Sequence, residues 1–212
     1  MEWLYGLVAI VAALAIYTLW GMIRLQTPTR GPLIDRATRP GEALVIVDVQ
    51  RDFTATEETY APDMVEAAIG SINTLADRFH QSGAPVLNIR HVFKGPYVNF
   101  LVRLLSGGRG AAGSSGLGPD PRLTHGHTAD FIKHRGDAFS NPAFGQWLGD
   151  HAIGKLVIVG LDGNACVKST ADGALNRGYE VEIIDAAVLA QSGASWAKQK
   201  NRLVARGAVV TA

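Results

Sequence analysis

"LVIVGLDGNACVKSTADGALNRGYEVEIIDAA", residues 156–187, carries two strand signals around one helix signal. Its opening is an unbroken apolar, β-branched run, suited to a strand buried on both faces. An alanine-rich segment from about Ala165 to Arg177 reads as a helix, and "EVEIIDA" returns to a strand pattern. Strand, helix and strand in this order make a crossover between parallel strands. Cys166, the only cysteine in the chain, lies where the first strand gives way to the helix.

The same alternation extends outward. "ALVIVDV" (43–49) is a second buried-strand run, and Val65, Ile69, Ile72, Ala76 and Phe79 then form one helical stripe that Gly83 is placed to stop. Strand "PVLNIRH", strand "DFIKH", helix "PAFGQWLGDH", helix "SGASWAKQKNRLVAR" and strand "AVVTA" complete the pattern. Repeated strand–helix–strand units predict a parallel sheet with helices on both faces. Residues 107–122, "GGRGAAGSSGLGPDPR", read as an irregular glycine-rich excursion.

With 212 residues, a formal charge of +1 and 18% charged residues, the chain suits one α/β domain plus a short appendage. No basic surface argues for nucleic acid, and one cysteine excludes an intrachain disulfide. The appendage is "WLYGLVAIVAALAIYTLWGMI", Trp3–Ile23, which has no charged residue. As a helix it spans about 30 Å, the thickness of a bilayer core. Trp3 lies near one end and Tyr17 and Trp20 near the other, where aromatic rings favour the interfaces. A cleaved signal peptide and a buried helix are the rival readings, but only Glu2 and the amino terminus precede the run, and no basic segment does. Residues 1–24 are therefore read as a single-pass anchor that contacts the lipid bilayer through residues 3–23. Residues 25–41, broken by Pro28, Pro32 and Pro40, form a linker, and 42–212 the soluble domain. Arg24, Arg30, Arg36 and Arg39 follow the span, which places that domain in the cytoplasm by the positive-inside rule.

In open parallel sheets ligands bind beyond the carboxyl ends of the strands. Asp48, Lys133 and Cys166 all fall there, so the topology directs a carboxylate, an ammonium and a thiol toward one crevice. A helix N-terminus and a nearby ammonium both favour thiolate, the attacking form. Asp48 is placed to take the thiol proton and return it to a leaving amine. Backbone amides around residues 160–166 are candidate donors to an oxyanion.

Three blocks, "ALVIVDVQRDF", "FIKHRGDAFSNPAF" and the stretch quoted first, resemble in order and spacing the signature blocks of isochorismatase-like cysteine hydrolases, a family that includes nicotinamidases and other small-amide hydrolases. The resemblance covers roughly residues 41–212. It implies a three-layer α/β/α fold with a mostly parallel six-stranded sheet in the Rossmann-like order 3-2-1-4-5-6, here preceded by one transmembrane helix. It assigns catalysis to Asp48, Lys133 and Cys166, with a thioester on Cys166 hydrolysed by water. It further implies a cis peptide between Leu161 and Asp162 and an oxyanion hole from the amides of Asp162 and Cys166. The substrate class it implies is a small-molecule amide, and the state a homo-oligomer. A cysteine nucleophile favours amide chemistry over the vinyl ether hydrolysis of isochorismate-cleaving members. A catalytically altered binding or scaffold protein on the same fold is the remaining alternative, with the Asp162 carboxyl group beside the oxyanion hole as its best support.

Nicotinamidases in this family hold a metal on a D-x-H pair after the second strand, whereas "NIRHVFKGPYVNF" contains no such pair. Neither a metal nor another cofactor is expected. His125 and His127 have chelating spacing but no third ligand nearby in sequence. Gly108, Gly110 and Gly113 satisfy G-x-G-x-x-G without the strand and helix that a dinucleotide site requires. Phe53, Arg90, His91, Tyr97 and Phe139 are candidate substrate contacts, weighed against the simpler reading of core aromatics and a solvated Arg-His pair.

Overall fold

The computed structural model describes residues 1–55, 59–124 and 126–212, apart from the side chains of Glu2 and Leu4. Six strands form one all-parallel sheet in the order β3-β2-β1-β4-β5-β6. They are β1 Gly41–Val47, β2 Val86–His91, β3 Ala129–Lys133, β4 Ile153–Leu161, β5 Glu180–Leu189 and β6 Val209–Thr211. Seven α-helices are found among the described residues: α1 Glu2–Gln26, α2 Arg51–Thr54, α3 Pro62–Ser82, α4 Pro96–Ser106, α5 Pro142–Asp150, α6 Lys168–Leu175 and α7 Gly193–Ala205.

The strand alternation separates two cores. Ala43, Val45 and Val47 of β1 face the side packed by Phe144 and Leu148 of α5, Ala171 and Ala174 of α6, and Trp196 and Leu203 of α7. Leu44 and Ile46 face the other side, where Val65, Ile69, Ile72, Ala76 and Phe79 of α3 pack. Successive strand side chains point to opposite faces, so one apolar run supplies both cores. The α3 stripe ends as expected at Gly83, which adopts the left-handed conformation (φ 75°).

The excursion is irregular, as expected, and one helix beside it is not among the elements read from the sequence. The excursion contains no strand or helix after Gly107, yet α4 precedes it inside a region that gave no clear helix signal; Pro96 at its first turn and left-handed Gly107 at its end bound it. The excursion itself is packed rather than loose. The Asp52 carboxylate accepts hydrogen bonds from the Gly110 amide and the Ser114 hydroxyl, and a Cβ at Gly116 would collide with that same carboxylate.

The residues after α1 lie against the domain. The last carbonyls of a helix lack internal partners, and here other segments supply them. Gly136 N–H donates to Leu25 O (2.8 Å), Arg135 donates to Arg24 O and Thr27 O, and Ser169 Oγ donates to Gln26 O. Farther along, Thr29 N–H donates to the buried Asp137 (2.7 Å), and Asn176 and Arg177 donate to Thr29 O. The connection is irregular, as its prolines predict, but hydrogen bonds hold it to the sheet's helical layer. The span Tyr5–Gln26 is long and apolar enough to cross a membrane (mean hydropathy 2.2), and none of it is buried inside the protein.

Candidate active site

The strand order reverses between β1 and its neighbours β2 and β4, and the crevice opens at that switch point. Val47 lies opposite Ile89 of β2 and Gly160 of β4, and His91 lies opposite Lys133. The residues that end or follow these strands therefore share one rim. Gly160 permits the close approach of β1 and β4: its φ is 107°, and a Cβ there would run into the Val47 carbonyl.

Asp48 follows β1 with a left-handed backbone (φ 56°) that turns its buried side chain into the crevice. Its Oδ2 accepts a hydrogen bond from Lys133 Nζ at 2.8 Å, and both residues are almost wholly excluded from solvent. Oδ1 makes no hydrogen bond to the described residues at normal geometry, and the Cys166 thiol adjoins the carboxylate. One oxygen of Asp48, one ring nitrogen of His91 and Cys166 Sγ lie within 4.8 Å of one another. Three residues, the outer two 118 positions apart, thus meet at one point.

The electrostatics assign protonation states. Burial raises the Asp48 carboxyl above its ordinary value, and the Lys133 cation only partly offsets that effect. Lys133 is raised despite burial, chiefly by the charge of Asp48, and stays an ammonium. The thiol departs from the sequence expectation. Burial, reinforced by the Asp48 charge, pushes Cys166 up to about 12, so the resting sulfur is protonated even with Lys133 beside it. The helix argument also weakens, because Cys166 sits in a wide π-type turn, Gly163–Val167, ahead of α6 rather than at the first turn of a regular helix. The carboxylate beside that protonated thiol is Asp48.

Burial and the Lys133 cation hold His91 well below the usual imidazole range. The neutral ring accepts from Lys133 Nζ through Nδ1 (3.0 Å), which leaves the proton on Nε2. Nε2 is buried and has no partner among the described residues. Asp48, His91 and Cys166 form a ligand set of mixed type, yet Lys133 already bonds to two of its members and its positive charge opposes a metal cation there. His127 is described and borders a different cavity; His125, its partner in the spacing argument, lies outside the described residues.

Asp162 does not present a free charge to the site. Its Oδ1 accepts from Asn164 N–H (2.6 Å), and its Oδ2 accepts from the Tyr60 hydroxyl and Gln191 N–H, both at 2.8 Å. Burial and this carboxylate hold the Tyr60 phenol above its usual range, so Tyr60 is the donor. The carboxylate is thus committed to shaping the loop whose Leu161–Asp162 peptide is cis.

A cavity of about 350 Å³ connects these groups. Phe53 and His91 line it, as do Phe93, Tyr60, Arg109 and the α1 residues Leu25 and Gln26. Three of the five candidate substrate contacts lie elsewhere. Arg90 points to the other face of β2 and pairs with Asp130 of β3. Tyr97 turns toward α1, and Phe139 is core, packed on Phe144 and beneath the Arg177 guanidinium. Gln50 was missed by sequence reasoning. Fully buried, it accepts from His91 N–H (2.6 Å) and donates to His91 O and Leu117 O, tying β2 and the excursion to the rim. A polar residue three positions past a buried strand end was its only signal.

The structure resembles several solved ones. Pyrazinamidase/nicotinamidase from Streptococcus mutans UA159 superposes with a TM-score of 0.70 at 20% identity, covering 80% of this chain and 99% of that one. N-carbamoylsarcosine amidase from Thermoplasma acidophilum superposes with a TM-score of 0.66 at 25% identity, over 81% and 95%. In sequence, an uncharacterized isochorismatase family protein, YddQ of Bacillus subtilis (strain 168), is 23% identical over 143 residues, 68% of this chain and 74% of that protein. The isochorismatase domain model matches residues 42–212, which contain every residue of the rim, and the chain belongs to the isochorismatase family.

Proposed function

We propose that this protein is a membrane-anchored hydrolase that cleaves a small-molecule amide or related C–N bond through a thioester on Cys166. The observation that carries the reading is the convergence of Asp48 and Cys166 on one cavity at the switch point, with the buried Lys133 bonded to Asp48 behind its wall. Similarity to an amidase and to pyrazinamidase/nicotinamidase supports the choice of amide chemistry.

The steps follow from the protonation states. Asp48, whose proton affinity burial raises, takes the Cys166 proton as sulfur attacks the substrate carbonyl. Lys133 offsets the growing negative charge on sulfur. Amides of Asp162 and Cys166 are the proposed donors to the tetrahedral oxyanion. On collapse the C–N bond breaks, and Asp48 returns the proton to the departing amine. Asp48 then takes a proton from water as that water attacks the thioester; the acid leaves and the thiol reforms. His91 Nε2–H, without an acceptor among the described residues, is available to a substrate oxygen or nitrogen.

The apolar helix, unburied along its length and followed by Arg24, Arg30, Arg36 and Arg39, supports a single span with the domain on the cytoplasmic side. Ammonia release from a panel of small amides, with mass-spectrometric trapping of an acyl adduct on Cys166, tests the chemistry. Turnover that persists in Cys166→Ala sinks the covalent route. Protease access to a tag after Ala212 in sealed, oriented vesicles tests the topology.

A further inference from the structure

α4 presents Phe100, Leu104 and Leu105 to the outside, 61%, 67% and 78% exposed. Phe100 and Leu104, i and i+4, share one stripe, and Leu105 lies about 100° farther round, so the three cover an arc of about 140° on the outer side of α4. The opposite side is held down by buried Asn99, whose amide donates to Phe93 O and Gly95 O. A short helix with one face tied to the domain and three large apolar groups on the other has the pattern of an interfacial segment.

Its position says what covers that face. Tyr97, in the first turn of α4, has its hydroxyl 2.6 Å from Thr18 Oγ1 and its ring centroid 5.8 Å from that of Tyr17. Tyr17 and Thr18 lie in the last part of the apolar span, and Gln26 ends the helix about 12 Å beyond Thr18 along its axis. The first turn of α4 therefore sits at the level of the Tyr17–Trp20 aromatic belt, and its last residue, Ser106, comes near the end of α1. The cavity lies between the same two elements: Leu25 and Gln26 of α1 line it together with Ser106, the last residue of α4, and Arg109. Leu25, Phe53, Phe93, Leu161 and Ala165 make much of its wall apolar.

We propose that the cavity is loaded from the bilayer: its substrate is an amphiphilic carboxamide with an apolar tail, and α4 rests in the leaflet from which α1 emerges. The inference rests on the anchored-hydrolase reading and adds the substrate class and the route to the site. Tail burial against the cavity wall and the lipid would then supply binding energy that a short, water-soluble amide lacks.

Two measurements on the full chain in phosphatidylcholine vesicles separate this inference from the reading beneath it. In the first, a Leu104→Cys label in a Cys166→Ser background is quenched by brominated lipid and not by aqueous iodide, whereas a Val204→Cys label on α7 shows the reverse. Iodide quenching at 104, or shielding there that varies with the protein-to-lipid ratio as a protein–protein contact would, overturns the proposal and leaves hydrolase activity untouched. The second measures ammonia release from primary carboxamides of two to twelve carbons. We expect kcat/KM to rise about threefold per added methylene over the first several. Phe100→Ser combined with Leu104→Ser and Leu105→Ser lowers long-chain turnover at least tenfold and leaves acetamide turnover unchanged. Hydrolysis of short amides with a flat or falling chain-length profile overturns the inference alone. No ammonia and no Cys166 adduct from any amide sinks the hydrolase reading and the proposal with it, and release of the chain by alkaline carbonate does the same through the anchor.

Discussion

Asp48 and Asp162 are carboxylates just past the ends of two adjacent parallel strands, and both border the same cavity, yet their surroundings are opposite. Asp48 has one cation on one oxygen and leaves the other facing a thiol. Asp162 receives three donors, from Tyr60, Asn164 and Gln191. Saturation makes a carboxylate a structural clip, whereas an open lone pair in a buried site leaves it free to act as the base we propose. Burial raises the proton affinity of Asp48 above that of a solvated carboxylate, which suits it to accept a thiol proton. The difference lies in the neighbours, since the residue type and strand-end position are the same.

The sharpest way to break this contrast is at the nucleophile. Cys166→Ala lowers turnover at least about 10³-fold, because only binding and oxyanion donors remain, while thermal melting shows an intact fold. Asp48→Asn comes next. We expect a loss of about 10²- to 10⁴-fold in kcat together with destabilisation of about 3–5 kcal/mol, since Lys133 is left buried without its anion. Urea unfolding measures the second effect; Asp48→Asn with Lys133→Met, which removes both charges, recovers much of the stability and none of the activity.

Asp162→Asn should behave differently. It retains an acceptor but weakens three hydrogen bonds, at a cost of about 1–2 kcal/mol in unfolding free energy, and it lowers kcat about tenfold by loosening the loop that carries the proposed oxyanion donors. A loss as large as that of Asp48→Asn would erase the distinction between base and clip. The pH profile refines it further. The base must be ionised, so kcat/KM falls as pH drops through the Asp48 pKa, with a midpoint above the ordinary carboxylate value of 3.8. Asp162→Asn leaves that midpoint in place. With Cys166 held up to about 12, no gain from thiolate formation appears between pH 7 and 9. The smallest effect is Tyr60→Phe, which removes one donor from Asp162 and costs about 1 kcal/mol; calorimetry reads it.

Adjacent residues show where sequence reading reached its limit. Arg90 and His91 carry equal promise as a pair, and strand alternation guarantees that they part company. Nothing local tells which of them faces the crevice. The structure gives Arg90 to Asp130 and His91 to Lys133. Likewise Tyr97 and Phe139 are aromatic groups near the site region; one is drawn to α1 and the other to the core beside Phe144. Gln50 escaped notice because its value lies in three hydrogen bonds to segments 41 and 67 positions away.

The sequence by itself determined the parallel α/β architecture, the apolar front helix and the strand-end positions of Asp48, Lys133 and Cys166, because periodicity and strand ends are local properties. Tertiary structure alone decided which side chains meet, that the thiol rests protonated, that Asp162 is tied up by three hydrogen-bond donors, and that α1 and α4 help wall the cavity. Those outcomes depend on burial and on partners distant in the chain, and neither is written in the spacing of residues.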